Sequence, residues 1–476
     1  MSQIRTIAKN TGFLISSDIL SKVISVVFLI YLARVLGDSG LGKYSFIFSF
    51  VGIFTLASDL GIVPLIIREI AKDEKKLQRY FYNSLTLRIF SSIFALVLAI
   101  IVLVFFERSS EIMLSVFLVS LAMLFYNLSE ICFAIFSAFQ KMEYPSVMLI
   151  LERIITVSMG IYALSAGYGI VAIALIYFIS YLIIFIISLF LVGSKIIKVR
   201  FWMNLDDAKS ILKESFPFWL TTIFYTIYFK VNTVMLTFMK GYQQAGWYSA
   251  AYSLLESLIF IPVSAGRALF PVMSKFHGVN KPALLLLLRK SIYYLCVLGI
   301  AISIGVTLLS DRIIYLIYLD KFQNSVFALQ ILIWGVMLIF ASTIAGNFLN
   351  AINKQKVFSM ITLVAALVNV VANLILIPLY GYIGAAFGTV ITEFLVLIFA
   401  IGVIIKNGYN IQLNKIIIKP IIAGILMGIA INYFRHLNLF VVIVLGAVVY
   451  FAVLILLRGI TKEDIQYFSA IFDKRT

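Results

Sequence analysis

Fourteen stretches of apolar residues, each bounded by polar or Gly/Pro punctuation, run the length of the chain: near 12–35, 40–65, 83–106, 112–138, 145–166, 168–193, 214–239, 246–271, 287–310, 325–350, 357–378, 380–405, 416–434 and 438–458. About 20 apolar residues cross a bilayer as a helix. Lipid offers the backbone no hydrogen-bond partner, so each stretch is expected to be helical. The pattern predicts an all-α integral membrane protein of about 14 transmembrane helices. The opening MSQIRTIAKN is short and polar, and the first run holds Asp18 and Lys22 without a small-residue cleavage site, so it is read as a retained span.

The composition agrees: 63% of the 476 residues are hydrophobic and 12% charged, against about 25% charged in soluble domains. Lys and Arg number 38 against 21 acidic residues. With the N-terminus inside, 26 of these cations fall in inner segments, 7 in outer connectors and 5 within spans. That bias orients the chain with both termini cytoplasmic and makes a nucleic-acid partner needless. Cys132 and Cys296 lie in apolar runs and suggest neither a disulfide framework nor a metal cluster.

Two short matches betray a repeat. L-G-K-Y-S at 41–45 resembles A-G-W-Y-S at 245–249, at the starts of spans 2 and 8. Y-G-I-V-A-I-A at 168–174 resembles Y-G-Y-I-G-A-A at 380–386, at the starts of spans 6 and 12. Their order and similar offset point to a duplicated six-helix unit. Six is even, so the copies face the same way, related by a pseudo-twofold along the membrane normal. The expected organisation is an N-terminal lobe 1–193, a cytoplasmic interfacial linker 194–213, a C-terminal lobe 214–405, and helices 13–14 with a cytoplasmic tail over 406–476. The linker reads as a basic stretch feeding a short amphipathic helix capped by Asn204.

Charges inside spans cost several kcal/mol unless paired or facing a cavity, yet eleven are kept. Asp59, Arg88, Glu130, Glu152, Arg153 and Arg267 fall in the inner third. Asp18, Lys22, Lys230, Glu256 and Glu393 fall nearer the middle. Arg88, Glu130, Glu152 and Arg153 suit an inner-third charge network. Asp18, Asp59, Glu256 and Glu393 are candidates for ion coupling. Lys22, Lys230 and Arg267 belong to spans 1, 7 and 8, which would line a central cleft, and cations there suit a phosphate. Asn347, Asn350, Asn369, Asn373, Tyr225, Tyr228 and Tyr252 suit sugar hydroxyls or helix–helix hydrogen bonds. The chain lacks G-x-x-x-x-G-K-[ST] and H-E-x-x-H. Energy would come from an ion gradient, the membrane potential or substrate flux, with no cofactor and no metal.

A-R-V-L-G-D-S-G-L-G-K-Y (33–44), D-L-G-I (59–62) and I-R-E-I-A (67–71) resemble the opening of the polysaccharide/oligosaccharide flippase family. W-Y-S-A-A-Y-S-L (247–254), A-L-F-P-V-M-S-K (268–275) and I-P-L-Y-G-Y-I-G-A-A (377–386) are similar to that family's spans 8 and 11–12. The family is a branch of the multidrug/oligosaccharidyl-lipid/polysaccharide exporter superfamily. The resemblance implies two lobes around a V-shaped cavity and movement of polyprenyl-diphosphate-linked oligosaccharide from inner to outer leaflet, with basic cavity residues engaging the diphosphate. That role falls on Lys22, Lys230 and Arg267. The expected partners are the polyprenyl-linked glycan, membrane lipid, and a polysaccharide polymerase or glycosyltransferases. The competing readings are a cation-coupled multidrug or metabolite exporter and a membrane-embedded glycosyl polymerase or ligase. The first would need an acidic cavity, and the second a large outer loop, where the longest connector spans only about 311–324.

Overall fold

A computed structural model describes residues 3–107, 109–199 and 202–459, so the cytoplasmic tail expected after 459 lies outside the described residues. Within them the chain is helical throughout, without a strand. The elements are α1 (Gln3–Asp59), α2 (Ile62–Lys72), α3 (Leu77–Phe106), α4 (Ser110–Ala138), α5 (Glu143–Ser165), α6 (Ile170–Lys195), α7 (Leu205–Lys240) and α8 (Tyr242–Leu258). They continue as α9 (Phe260–Phe276), α10 (Lys281–Tyr318), α11 (Ser325–Leu332), α12 (Trp334–Ala351), α13 (Gln355–Tyr380), α14 (Tyr382–Lys406), α15 (Leu413–Tyr433) and α16 (Leu439–Leu456).

Fourteen membrane-length segments emerge when α1 is divided at Gly37 and the pairs α8–α9 and α11–α12 each count as one span. Spans 1 and 2 are one helix interrupted where Gly37 takes φ 73 and ψ −171, a conformation that a β-carbon would strain. Eleven helices are by themselves long and apolar enough to cross a membrane.

Two boundaries differ from the hydropathy pattern. Span 2 stops at Asp59, because Leu60 and Gly61 turn left-handed at φ 52 and φ 64. The apolar residues beyond form α2, an amphipathic helix that buries Ile62, Leu65, Ile66 and Ile70 along one face. The linker's second half is the start of α7. Asn204 caps it by accepting from the amides of Asp206 (2.9 Å) and Asp207 (3.2 Å), and the helix then runs unbroken to Lys240.

The chain forms two compact units, residues 1–249 and 250–476. In the first, α4 packs along α6 and α3, while α1 packs on α5, α3 and α7. An apolar cluster joins α2 to α3 and α4 through Leu65, Ile66, Phe81, Leu85, Ile131 and Phe136, with Ile211 of α7. Each such side chain contributes about 1.5–3 kcal/mol where water is the alternative. In the second unit, α10, α12, α13 and α14 pack together and α15–α16 lie on α10. Ala423, Met427, Ile431, Val442 and Tyr450 form that last interface with Val297 and Leu309. Tyr450 donates across it to the Val297 carbonyl at 2.7 Å.

Candidate functional site

The first unit gathers its intramembrane charge around Arg88. This guanidinium is fully buried. Its Nη1 donates to the Ser58 carbonyl at 2.8 Å, near the broken C-terminal end of α1, where carbonyls lack helical partners. Its Nη2 meets Asp59 at 3.0 Å and Glu130 at 3.4 Å. Asn127, one turn before Glu130, donates to the Ser58 hydroxyl at 2.7 Å.

A second cluster surrounds Arg153, which pairs with Glu152 at 3.2 Å and hydrogen-bonds Tyr177. Thr156 donates to Glu152 at 3.0 Å, and the Tyr44 and Tyr177 hydroxyls share a bond of 2.8 Å. Glu152 and Arg153 are the tenth and eleventh of the 23 residues of α5, so they sit near its middle. Tyr126 links the two clusters: it hydrogen-bonds Glu130, and its ring lies 5.2 Å from that of Tyr181, tilted by 40°. Arg88, Glu130, Glu152 and Arg153 are thus neighbours, and Asp59 stands among them as an ion-pair partner.

Lys22 and Lys230 stand apart. Lys22 is exposed on α1 and Lys230 half-buried on α7. Among the described residues neither has a carboxylate within ion-pair distance. Counting about 1.5 Å per residue back from the breaks at Gly37 and Gly241 puts Lys22 roughly 22 Å and Lys230 roughly 16 Å along their helices. The aliphatic stem of Lys230 passes Gly52, whose added Cβ would lie 4.0 Å from its Cγ. Arg267 is exposed on α9 and belongs to the second unit, as do Glu256, exposed on α8, and Glu393, buried on α14. Asp18 is exposed on α1.

Amides of the second unit bind helices together. Asn369 donates to the Thr392 hydroxyl at 3.0 Å and Asn373 to Asn369 at 3.0 Å, joining α13 to α14 beside Glu393. Asn347 lies so close to Gly266 that a Cβ there would overlap its Nδ2. Asn350 is half-buried on α12 and Tyr252 half-buried on α8. The side chains of Tyr225 and Tyr228 lie outside the described residues.

The feature least visible beforehand is where α1 meets α8 in the first unit. A Cβ on Gly42 would overlap the Tyr242 carbonyl, and a Cβ on Gly246 would overlap the Asp38 carbonyl. Residues 38 and 242, like 42 and 246, differ by the repeat offset of 204, so the contact is reciprocal. The breaks share the offset too: Gly37 has φ 73 and Gly241 φ 84. Asp38 fastens the crossing, accepting from Trp247 Nε1 at 2.9 Å and Gln243 Nε2 at 3.0 Å. Lys43 pairs with Glu111, and Tyr242 hydrogen-bonds Glu107. The G-x-Y-S match contains Gly42 and Gly246, and Asp38 lies in the 33–44 motif, but neither shows the contact. Asp38 and Tyr242 could have been found by extending the match four residues upstream.

Residues 7–277 match the family model described as polysaccharide biosynthesis protein. The chain belongs to that family. Residues 189–451 match the model of the lipid II flippase MurJ. Among relatives, the probable low-salt glycan biosynthesis flippase Agl15 of Haloferax volcanii is 22% identical over 96% of this chain and 97% of its own length. An uncharacterised membrane protein of Methanocaldococcus jannaschii is 29% identical, over 48% of this chain and 45% of its own length. The fold is that of lipid II flippase MurJ in an inward closed conformation: TM-score 0.75, 18% identity, covering 94% of this chain and 99% of that one. An outward-facing multidrug transporter shares it less closely, at TM-score 0.59, 16% identity, 85% of this chain and 96% of that one.

Proposed function

We propose that this protein moves polyprenyl-diphosphate-linked oligosaccharide from the inner to the outer leaflet by alternating access. It acts in the cell membrane with both termini cytoplasmic, as a transporter without a chemical step, and hands its cargo to a polysaccharide polymerase or glycosyltransferases. A diphosphate and several sugars cannot cross hydrocarbon unaided, since each unsatisfied polar group costs several kcal/mol. The lipid tail can stay in the bilayer while the head group crosses.

The observation that carries the reading is Lys22 and Lys230, two span lysines without an ion-pair partner among the described residues. A positive group kept at mid-bilayer without its own counter-ion suits an anionic head group. The same free cations would repel a cationic drug, which disfavours the multidrug alternative. Lobes 1–193 and 214–405 remain the proposed moving bodies, and the glycine crossing of α1 with α8 is the proposed outer closure. Asp18, Glu256 and Glu393 remain proposed coupling groups, and Arg267 a third phosphate ligand.

The test is a proteoliposome assay with a polyprenyl-diphosphate glycan labelled in its head group. Lys22→Ala and Lys230→Ala should each slow flipping by about tenfold or more, because a charge-assisted hydrogen bond contributes about 1.5–3 kcal/mol. Arg267→Ala should act in the same direction. Lys→Arg should retain part of the rate. Unchanged flipping in the triple Ala variant removes the proposed anchor.

A further inference from the structure

The stretch read as the longest outer connector, about 311–324, is largely helix. The 38-residue α10 carries on to Tyr318 before it stops. Asp311 and Arg312 end its apolar run, and the residues from Asp311 to Tyr318 add about 12 Å beyond it at 1.5 Å per residue. Asp311 and Tyr315 are four apart, as are Arg312 and Leu316, so these four share a face. Ile314 and Tyr318 lie buried on another. The shared face borders a cavity of ≈ 380 Å³, lined on its other side by Asn438 and Phe440 at the start of α16. Small-molecule sites run from about 300 to 1,000 Å³. Every wall belongs to the second unit.

The walls are fixed in place. Arg312 donates from Nη1 to the Arg435 carbonyl at 2.7 Å and from Nη2 to the Leu437 carbonyl at 2.8 Å, which ties the α15–α16 turn to α10. Arg435 donates back to Asp311 at 2.7 Å. Asn438 caps α16 by accepting from the Phe440 amide at 3.0 Å. A recess held this way needs little ordering when it binds.

What those bonds leave over defines the ligand. Asp311 keeps one carboxylate oxygen, Asn438 its NH2 group and Tyr315 its hydroxyl, none with a protein partner among the described residues. These are an acceptor, a donor and a group that is both. Tyr315 and Phe440 add aromatic rings that are 58% and 66% exposed. A phosphate is poorly matched: Arg312 turns both terminal nitrogens to carbonyls, Arg435 is already paired, and Asp311 repels an anion. A neutral sugar ring matches every group. Its hydroxyls can donate to the carboxylate and accept from the amide, while its C–H face lies on an aromatic ring.

We propose that this recess is a sugar subsite, which takes a neutral hexose-type ring of the glycan as the head group reaches the outer leaflet. The sugar site stands on these residues alone; its outward position and its use in transport rest on the flippase reading.

The full chain in nanodiscs of fixed lipid composition is probed by saturation-transfer NMR with maltose and with N,N′-diacetylchitobiose. Glycerol phosphate serves as the mimic of an anionic lipid head group. At least one disaccharide should receive saturation at its ring C–H protons, and glycerol phosphate should not. Tyr315→Ala should raise the sugar Kd by about three- to tenfold. Asn438→Asp keeps the oxygen that caps α16 but replaces the donor with an acceptor, and should raise it by about as much. Tyr168→Ala, 60% exposed in the first unit, should change nothing, which separates a site from general aromatic stickiness. Circular dichroism confirms that each variant folds. No transfer to either disaccharide, transfer undiminished in the Tyr315→Ala, Asn438→Asp double variant, or a preference for glycerol phosphate overturns the proposal. In proteoliposomes the double variant should slow flipping of the labelled glycan severalfold and leave polyprenyl diphosphate without sugars unaffected. Sugar binding in a wild type that flips nothing sinks the flippase reading alone. Flipping by a wild type that binds no sugar sinks the subsite alone. Undiminished glycan flipping in a double variant that has lost sugar binding overturns its use in transport.

Discussion

Adding one methyl group at Gly246 tests the reasoning most directly. Its Cβ would fall on the Asp38 carbonyl and lie 3.2 Å from the Gly42 amide. The reciprocal Cβ on Gly42 would lie 2.7 Å from the Tyr242 carbonyl carbon and 3.0 Å from the Gly246 amide nitrogen. Ordinary contact begins near 3.5 Å, so the α1 and α8 backbones must part by at least about 1 Å. A gap of that size forfeits a quarter to a half of the van der Waals attraction across the crossing. It also stretches the bond from Trp247 Nε1 to Asp38, now 2.9 Å, beyond hydrogen-bond range. A bond to a charged group contributes about 1.5–3 kcal/mol, and overpacking costs about 1–3 kcal/mol. The closed crossing should lose about 2.5–6 kcal/mol, a shift of roughly 60-fold or more in the closed-to-open ratio at 1.4 kcal/mol per factor of ten. The reporter is Ser49→Cys, at a buried position of α1 two turns past Gly42, labelled with an impermeant thiol reagent from the outer side. Gly246→Ala should speed labelling by at least tenfold and slow glycan flipping. Gly52→Ala, whose Cβ meets only Lys230 Cγ at 4.0 Å, is the silent control. Labelling equal to the Gly246 parent would refute the view that this crossing is a closure.

Gly266→Ala should lower the thermal midpoint of the second unit, because its Cβ would overlap the Asn347 amide. Adding Asn347→Ala should recover most of the loss, and no recovery would place the strain elsewhere. Glu69, at the inner end on α2, donates no proton at neutral pH: the Lys76 ammonium at 2.7 Å, with Arg68 and Lys72 near, lowers its carboxyl from 4.5 to about 2. A depressed folded-state pKa adds stability that is complete above about 4.5 and is lost as pH falls toward 2. Glu69→Gln should therefore cost about 1.5–3 kcal/mol at neutral pH and flatten the acid side of the melting profile between those limits. An identical acid limb in wild type and variant would contradict it.

Membrane residence and the number of spans were readable along the chain, because a bilayer imposes one demand on every residue run: length, apolarity and a helical backbone. The Asn204 cap was readable for a similar reason, since it acts on amides two and three residues away. Helix ends were less so. Span 2 looked continuous to residue 65 because α2 is apolar on one face, and only the left-handed Leu60–Gly61 corner separates them. The G-x-Y-S match could be seen, yet nothing in a linear match says that residue 42 touches residue 242.

What the amino-acid order determined was therefore the local and the additive: fourteen apolar helices, a duplicated motif, and the expense of eleven charges held in spans. Only the tertiary structure decided which of those charges are satisfied. Asp59, Arg88 and Glu130 lie 29 and 42 residues apart, and whether they meet depends on how α1, α3 and α4 cross. The same packing left Lys22 and Lys230 without ion-pair partners among the described residues and brought Gly42 against Tyr242. Electrostatics and close packing depend on distance through space, and a sequence states distance only along the chain.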